Sequence, residues 1–244
     1  MNLEELLVNR VMRANPTGLN VVSGSLPLTH FGQIESARTV TVGINPSVRE
    51  FCLSKNPRQL LPTKAKRVID REVLGLKDYA VPSRGDALRA VDSFTRYFEG
   101  PNYLSWFTQL QKWALDPVGR SYFDGTVAHL DLVQWATDPV WGELPVGVKE
   151  ELVSADANFL SEQIRLIRPE LVLFNGATVV NEMSKYDQFE IEESGLIPGA
   201  EPFKYFIGMC GSSRAIGWSL NIQRQPDSGN AAKSALRDWL STVS

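Results

Sequence analysis

Gly43-Ile44-Asn45-Pro46-Ser47 closes a short apolar run, Thr39-Val40-Thr41-Val42. The run reads as a buried strand. The turn therefore sets a bare carboxamide, Asn45, and a rigid proline just beyond a strand's C-terminal end. In open α/β sheets, ligands bind at that edge. An Asn there adds nothing to packing, but it can hold a water or polarise a reacting group. Taken alone, the turn reads equally as a strand terminator, with Asn and Pro present for backbone reasons.

Outward from this turn, four strand-like runs recur at wide intervals: Arg38–Val42, Thr126–Leu132, Glu170–Phe174 and Lys204–Met209. Apolar residues at three- and four-residue spacings predict helices over Leu3–Met12, Tyr103–Ala114 and Glu150–Ile167, the last stopped by Arg168-Pro169. Strands this hydrophobic, separated by helix-length segments, predict a three-layer α/β/α fold around a central, mostly parallel four-stranded sheet. Right-handed crossovers would bring all four strand C-termini to one edge. The residues to interrogate there are Asn45, Asp131, Asn175 and the loop after Met209. The long segment Ser54–Gly100 reads as a helical insertion over that edge, with helices at Lys64–Gly75 and Arg84–Phe98 and a break at Pro82-Ser83-Arg84-Gly85.

With 244 residues, 43% of them hydrophobic, the chain can bury one sizeable core, and a single domain over 1–244 is expected. No apolar run approaches membrane-spanning length. Met1-Asn2-Leu3-Glu4-Glu5 lacks the basic-then-apolar order of a secretory signal, so a cytoplasmic monomer is expected. Cys52 and Cys210, supplemented only by His30 and His129, offer too few ligands for a four-thiolate site, and neither metal nor cofactor is expected.

The net charge of −3 argues against a bulk nucleic-acid coat, but the charge is unevenly spread. Arg49, Lys55, Arg58, Lys64, Lys66, Arg67 and Arg71 face only Glu50 and Asp70 in the same stretch, whereas Glu182–Glu193 is mostly acidic. A basic run is usually a solvated face. Its start at Arg49, beside Ser47 and the Asn45 turn, favours phosphate contact.

The second strand runs Val127-Ala128-His129-Leu130-Asp131-Leu132-Val133 towards Thr137-Asp138-Pro139. The third ends Phe174-Asn175-Gly176, and the fourth ends Met209-Cys210-Gly211-Ser212-Ser213-Arg214. In this order the motifs resemble the uracil-DNA glycosylase superfamily, most closely its mismatch-specific uracil/thymine branch. The resemblance spans Arg38 to Trp239. It implies a DNA glycosylase in which Asn45 positions the attacking water and Ile44 with its neighbouring peptides lines the base pocket. Asp131 stands where the family has its base-reading Asn, and Ser212, Ser213 and Arg214 look like the loop that fills the gap left by the extruded base. Many superfamily members carry a His in that loop, and its absence here fits the mismatch branch.

The residues support this chemistry independently. Cleaving an N-glycosidic bond develops positive charge on the sugar and negative charge on the base, after the nucleotide has left the stack. A neutral Asn is a poor base but a good water holder. No Lys stands at the motif positions, so a monofunctional hydrolase that leaves an abasic site is expected. Phe51 reads either as a base-stacking ring or as a core residue. His129 reads as a satisfied inner histidine, and Tyr97, Phe98, Tyr103, Trp106, Phe107 and Trp113 as core between helices. Asn175-Gly176 opens a helix that could meet a phosphate.

Asp131 departs from the family pattern. An Asn can accept from uracil N3–H and donate to O4, whereas a carboxylate only accepts. It repels O4 and suits the exocyclic amine of cytosine. The alternative is a purely structural carboxylate. The expected substrate is therefore a damaged or modified pyrimidine of the cytosine type, in repair or against foreign DNA. The rivals are uracil or mismatched-thymine excision, a base-binding protein without activity, and a nucleoside hydrolase. Excision assays on matched uracil- and cytosine-containing duplexes test this: wild type should favour cytosine and Asp131→Asn should gain uracil. A wild-type preference for uracil refutes it.

Overall fold

The computed structural model describes all residues except 54–55, 101–103, 187, 200–201, 224–229 and 244, and the side chains of 56–58 and 104. Lys55, Tyr103, the Arg58 side chain and the start of the Ser54–Gly100 segment thus lie outside the described residues. In chain order the elements are α1 (Leu3–Val11), β1 (Thr39–Gly43), β2 (Cys52–Leu53), β3 (Asn56–Leu60), α2 (Arg84–Thr95), α3 (Leu104–Leu110) and β4 (Val127–Asp131). Then follow α4 (Val146–Ile167), β5 (Leu171–Asn175), α5 (Ala177–Lys185), β6 (Glu190–Ile197), β7 (Phe203–Cys210), β8 (Ser213–Trp218) and α6 (Ala231–Val243).

β1 pairs in parallel with β4 on one side and β5 on the other, and β5 pairs in parallel with β8. All residues of β1, β4 and β5 are buried. Such continuous apolar runs are what a sheet covered on both faces requires. Side chains alternate across it. Val40, Val42, Ala128, Leu130, Val172 and Phe174 point into one core with Leu152, Leu160 and Ile164 of α4 and Val180 of α5. Val127, Leu171, Leu173, Ile216 and Trp218 point into the other, with Phe94 of α2, Phe107 of α3 and Leu236 of α6. Three α/β/α layers result. Full burial of each such side chain contributes roughly 1.5–3 kcal/mol, which sets the two faces against slippage.

The fourth parallel strand is not Lys204–Met209. That stretch lies in β7, which runs antiparallel between β8 and the edge strand β6, so the sheet has six strands in the order β4-β1-β5-β8-β7-β6. The cause is local. Gly211 adopts φ +59 in a tight turn that pairs Cys210 with Ser213, a conformation glycine takes without penalty. The chain folds back as a hairpin where a crossover was expected. The edge strand β6 carries exposed Glu190, Glu192 and Glu193, which discourage edge pairing with other chains.

The insertion is only partly helical. α2 starts at a capping box, with Ser83 accepting from the Asp86 N–H and Asp86 accepting from the Ser83 N–H. Lys64–Gly75 forms no α-helix beyond a single 3₁₀ turn at Thr63–Ala65. The reason is Arg71, which is fully buried and donates to Ser25 O and Asn15 Oδ1 at 3.0 Å, to Arg13 O at 2.7 Å and to Ala80 O. The segment wraps around this guanidinium. α4 ends as read, at Arg168 in the left-handed region with Pro169 behind it. α3 continues into one π turn, Gln111–Leu115. Among the described residues no helix is long and apolar enough to cross a membrane.

Arg71 therefore serves as a structural strut. Arg71→Ala leaves several buried carbonyls without donors and should cost about 3 kcal/mol or more. Urea unfolding of the variant beside wild type checks this.

Candidate active site

β1 is the strand at which the sheet order reverses: the chain leaves it for β4 on one side and later returns to β5 on the other. Ligands bind outside the carboxyl ends of strands at such a point. The β1–β4 pairing continues past the strand ends through Leu132 N–H to Gly43 O at 3.0 Å and Val133 N–H to Ile44 O at 2.9 Å. This holds the Asn45 turn in place. Asn45 Nδ2 donates to Trp135 O and Thr137 Oγ1, both at 3.2 Å. A carbonyl such as Trp135 O only accepts, so the amide nitrogen must face it. The carboxamide oxygen is the atom left to accept from a water.

Thr41, Gly43, His129 and Asp131 share one face of the sheet by the period of two, in register as Thr41–His129 and Gly43–Asp131. Their side chains form a buried row. Tyr122 OH and Thr41 Oγ1 are 2.7 Å apart, Thr41 Oγ1 and His129 Nδ1 are 2.7 Å apart, and His129 Nε2 lies 3.5 Å from Asp131 Oδ1. Asp131 is 2% exposed. A Cβ on Gly43 would sit 2.6 Å from Asp131 Oδ1 and 3.1 Å from His129 Nε2, so the glycine is imposed by this close approach.

Past the turn, Ser47 Oγ caps a 3₁₀ turn, Val48–Glu50, by accepting from the Arg49 N–H at 3.2 Å. The turn aims Glu50 inward, where it is 3% exposed and accepts from Tyr97 OH at 2.8 Å. Burial raises its carboxyl to about pKa 7. The Tyr97 hydrogen bond and Arg67 oppose the rise, and the Asp131 charge adds to it.

Asn45, Pro46, Ser47, Glu50, His129 and Asp131 line one pocket, and Phe31, Trp106 and Phe107 complete its walls. The Trp106 and Phe107 rings meet the His129 imidazole edge-on at 4.7 and 5.4 Å between centroids. The space is about 230 Å³ with its open mouth, but only about 10 Å³ of it can take the centre of a water. That is room for roughly one water. A flat ligand would enter by displacing a wall, and Trp106, which is only partly buried, is the aromatic wall least held by packing.

Of the residues expected at the site, the structure brings Asn45, Ser47 and Asp131 together. Ile44 turns to the other face of the sheet and packs in the α4 core. Phe51 is 2% exposed, packs in the opposite core and does not line the pocket, so it is the structural residue of its two readings. Arg49 is exposed beside the pocket and does not line it. Ser212, Ser213 and Arg214 are at the wrong edge. β8 begins there, with Arg214 in register with Leu171 at the N-terminal end of β5, and Arg214 donates to Val243 O. The segment leaving the correct edge is Ser219–Gln223, after Trp218. Asn175 is tied up there, accepting from Trp218 Nε1 at 3.1 Å and donating to Gln223 Oε1 at 2.7 Å.

Sequence reading missed Glu50; its placing of His129 and Phe107 in the interior holds, but with Trp106 they also line the pocket. The spacing of His129 and Asp131 on one strand face was a usable signal. Glu50 stood out only as an acid inside a basic run. Part of that run is consumed internally: Arg71 is buried, and Lys66 pairs with Asp70 and with Glu72 at 2.9 Å, whereas Arg49 and Lys64 are exposed. Among the described residues no cluster of three or more His, Cys, Asp or Glu could hold a metal. No protein-family model matches the chain, and a search of curated proteins finds no match.

Because folding raises the Glu50 carboxyl from 4.5 to about 7, its stabilising effect is complete below the unfolded value and is lost as pH rises through the folded one. The loss amounts to roughly 3 kcal/mol. Glu50→Gln should raise the thermal midpoint above wild type near about pH 8, with the gap closing near about pH 5. Melting curves at the two pH values check this. Gly43→Ala should push Asp131 aside and lower any activity of the pocket by roughly 10²-fold, measured against wild type on the same substrate.

Proposed function

We propose that the protein is a monofunctional DNA glycosylase of the uracil-DNA glycosylase type, acting on a cytosine-type base. The observation that carries this reading is a carboxamide, Asn45, and a carboxylate, Asp131, lining one aromatic-walled pocket at the carboxyl ends of adjacent parallel strands. The extruded base stacks among Phe31, Trp106 and Phe107, and Asp131 accepts from its exocyclic amine. Asn45 holds the attacking water through its free carbonyl oxygen. As the bond to the base breaks, positive charge on the sugar is favoured by the Asp131 carboxylate. Water then adds to C1′, the proton leaves to solvent or to the departing base, and an abasic site remains. No Lys lines the pocket among the described residues, which fits hydrolysis without an imine step.

A second reading rests on the internal use of Arg71 and Lys66: with these cations spent on the fold, a nucleoside or free base is a rival to a polymer substrate. Salt separates the two, since DNA binding falls by orders of magnitude between about 50 and about 200 mM salt and nucleoside binding does not.

Oligonucleotides carrying cytosine, substituted cytosines, uracil or mismatched thymine should be incubated with the protein and cleaved with alkali at abasic sites. Wild type should cut the cytosine-type substrates, and Asn45→Ala should lose roughly 10²-fold or more. Absence of cleavage on every substrate rejects the enzyme reading.

A further inference from the structure

The pocket holds two carboxyl groups, and the base reading above uses one of them. Glu50 and Asp131 are 3% and 2% exposed and share walls made of Phe31, Trp106 and Phe107. A second carboxyl in an apolar-walled pocket is costly to ionise, and its neighbours decide how costly. Asp131 faces the His129 ring nitrogen at 3.5 Å, and His129 is itself anchored by Thr41. Glu50 faces the phenol of Tyr97, with Arg67 as the cation acting on it and Asp131 as the opposing charge. Among the described residues no Lys or Arg lines the pocket itself. Burial dominates at Glu50 and favours its neutral form.

We propose that Glu50 is the second base-reading residue of this pocket, its neutral carboxyl donating a hydrogen bond to a ring acceptor of the base while Asp131 accepts from the adjacent exocyclic amine. This rests on the glycosylase reading of the same pocket and specifies its substrate class. Cytosine presents an amine at C4 beside an acceptor at N3. Uracil presents the reverse, an acceptor at C4 beside N3–H. With its proton on Glu50, a carboxyl–carboxylate pair therefore meets cytosine with two hydrogen bonds, and it meets uracil with two only after the proton has moved to Asp131. Buried mismatched polar groups are the strongest form of discrimination a binding site has. The adenine edge carries the same donor–acceptor order, so the pair reads amino-bases in general. The device also makes recognition depend on pH: once Glu50 ionises, the ring acceptor of cytosine faces two carboxylates.

The test uses single-turnover excision by the full-length protein from about pH 6 to about pH 9, a range that brackets the Glu50 value of about 7. Wild type should lose excision of cytosine-type bases by about tenfold per pH unit on the alkaline side. Glu50→Gln, which keeps a donor at every pH, should excise them with that alkaline fall abolished. Glu50→Leu should lose roughly 30-fold or more near about pH 6, with no alkaline fall of its own, while melting at or above the wild-type temperature. An alkaline fall unchanged in Glu50→Gln, or a Glu50→Leu as active as wild type near about pH 6, overturns the proposal. Release of uracil in preference to cytosine by wild type overturns it too, while leaving the glycosylase reading intact. If wild type releases no base, the glycosylase reading fails, and calorimetric binding of free cytosine then decides the role of Glu50. Binding that weakens above about pH 7 in wild type but not in Glu50→Gln upholds the recognition role, and equal pH dependence in both rejects it.

Discussion

The pairing of β1 with β4, in register from Thr39–Val127 to Gly43–Asp131, is the constraint on which the site depends. It fixes which residues of two strands share a face, and it sets Asp131 Oδ1 where a Cβ on residue 43 could not fit. The same ladder, extended through the peptide groups of residues 132 and 133, holds the Asn45 turn against the next stretch of chain. From there the carboxamide reaches Trp135 O and Thr137. A backbone ladder thus does the positioning, and the side chains take their orientation from it. Rigid elements of this kind place functional groups more closely than loops can.

The electrostatics follow from the cover over this edge. Helices α2 and α3 and the segments around them bring aromatic rings down on a row of polar groups. Water is excluded, and each charge in the row must be neutralised, paired or hydrogen-bonded. Tyr122 pairs with Thr41, Thr41 satisfies His129 Nδ1, His129 approaches Asp131, and Tyr97 satisfies Glu50. Glu50 still sits well above the usual carboxylate range because burial outweighs its partners. A pocket built in this way holds a proton that an exposed surface would release.

Charge pattern along the chain proved a weaker guide than hydrophobic pattern, and the reason is geometric. Seven basic residues between Arg49 and Arg71 read as a patch because sequence records proximity in the chain. Arg71 instead spans the insertion as a buried donor to four acceptors, and Lys66 is neutralised by Asp70 and Glu72. A similar limit applied to β7. Its apolar run marked a strand correctly but carried no information on direction, which was decided by the turn at Gly211. One reversal moved Ser212, Ser213 and Arg214 to the far edge of the sheet.

By itself the sequence determined the layers, the three parallel strands β1, β4 and β5 and the placement of Asn45 and Asp131 at their ends. Burial on both faces leaves a period and a composition that can be read locally, and strand ends follow from turns such as Asn45-Pro46. Only the tertiary structure decided that β8 is the fourth parallel strand, that Phe51 belongs to the core, and that Phe31, Trp106 and Phe107 form the pocket walls. Only it placed Glu50 beside Asp131. These are contacts between segments far apart in the chain or across faces of the sheet, and they are set by packing. A carboxyl five residues after Asn45 looks like a surface charge until the fold encloses it.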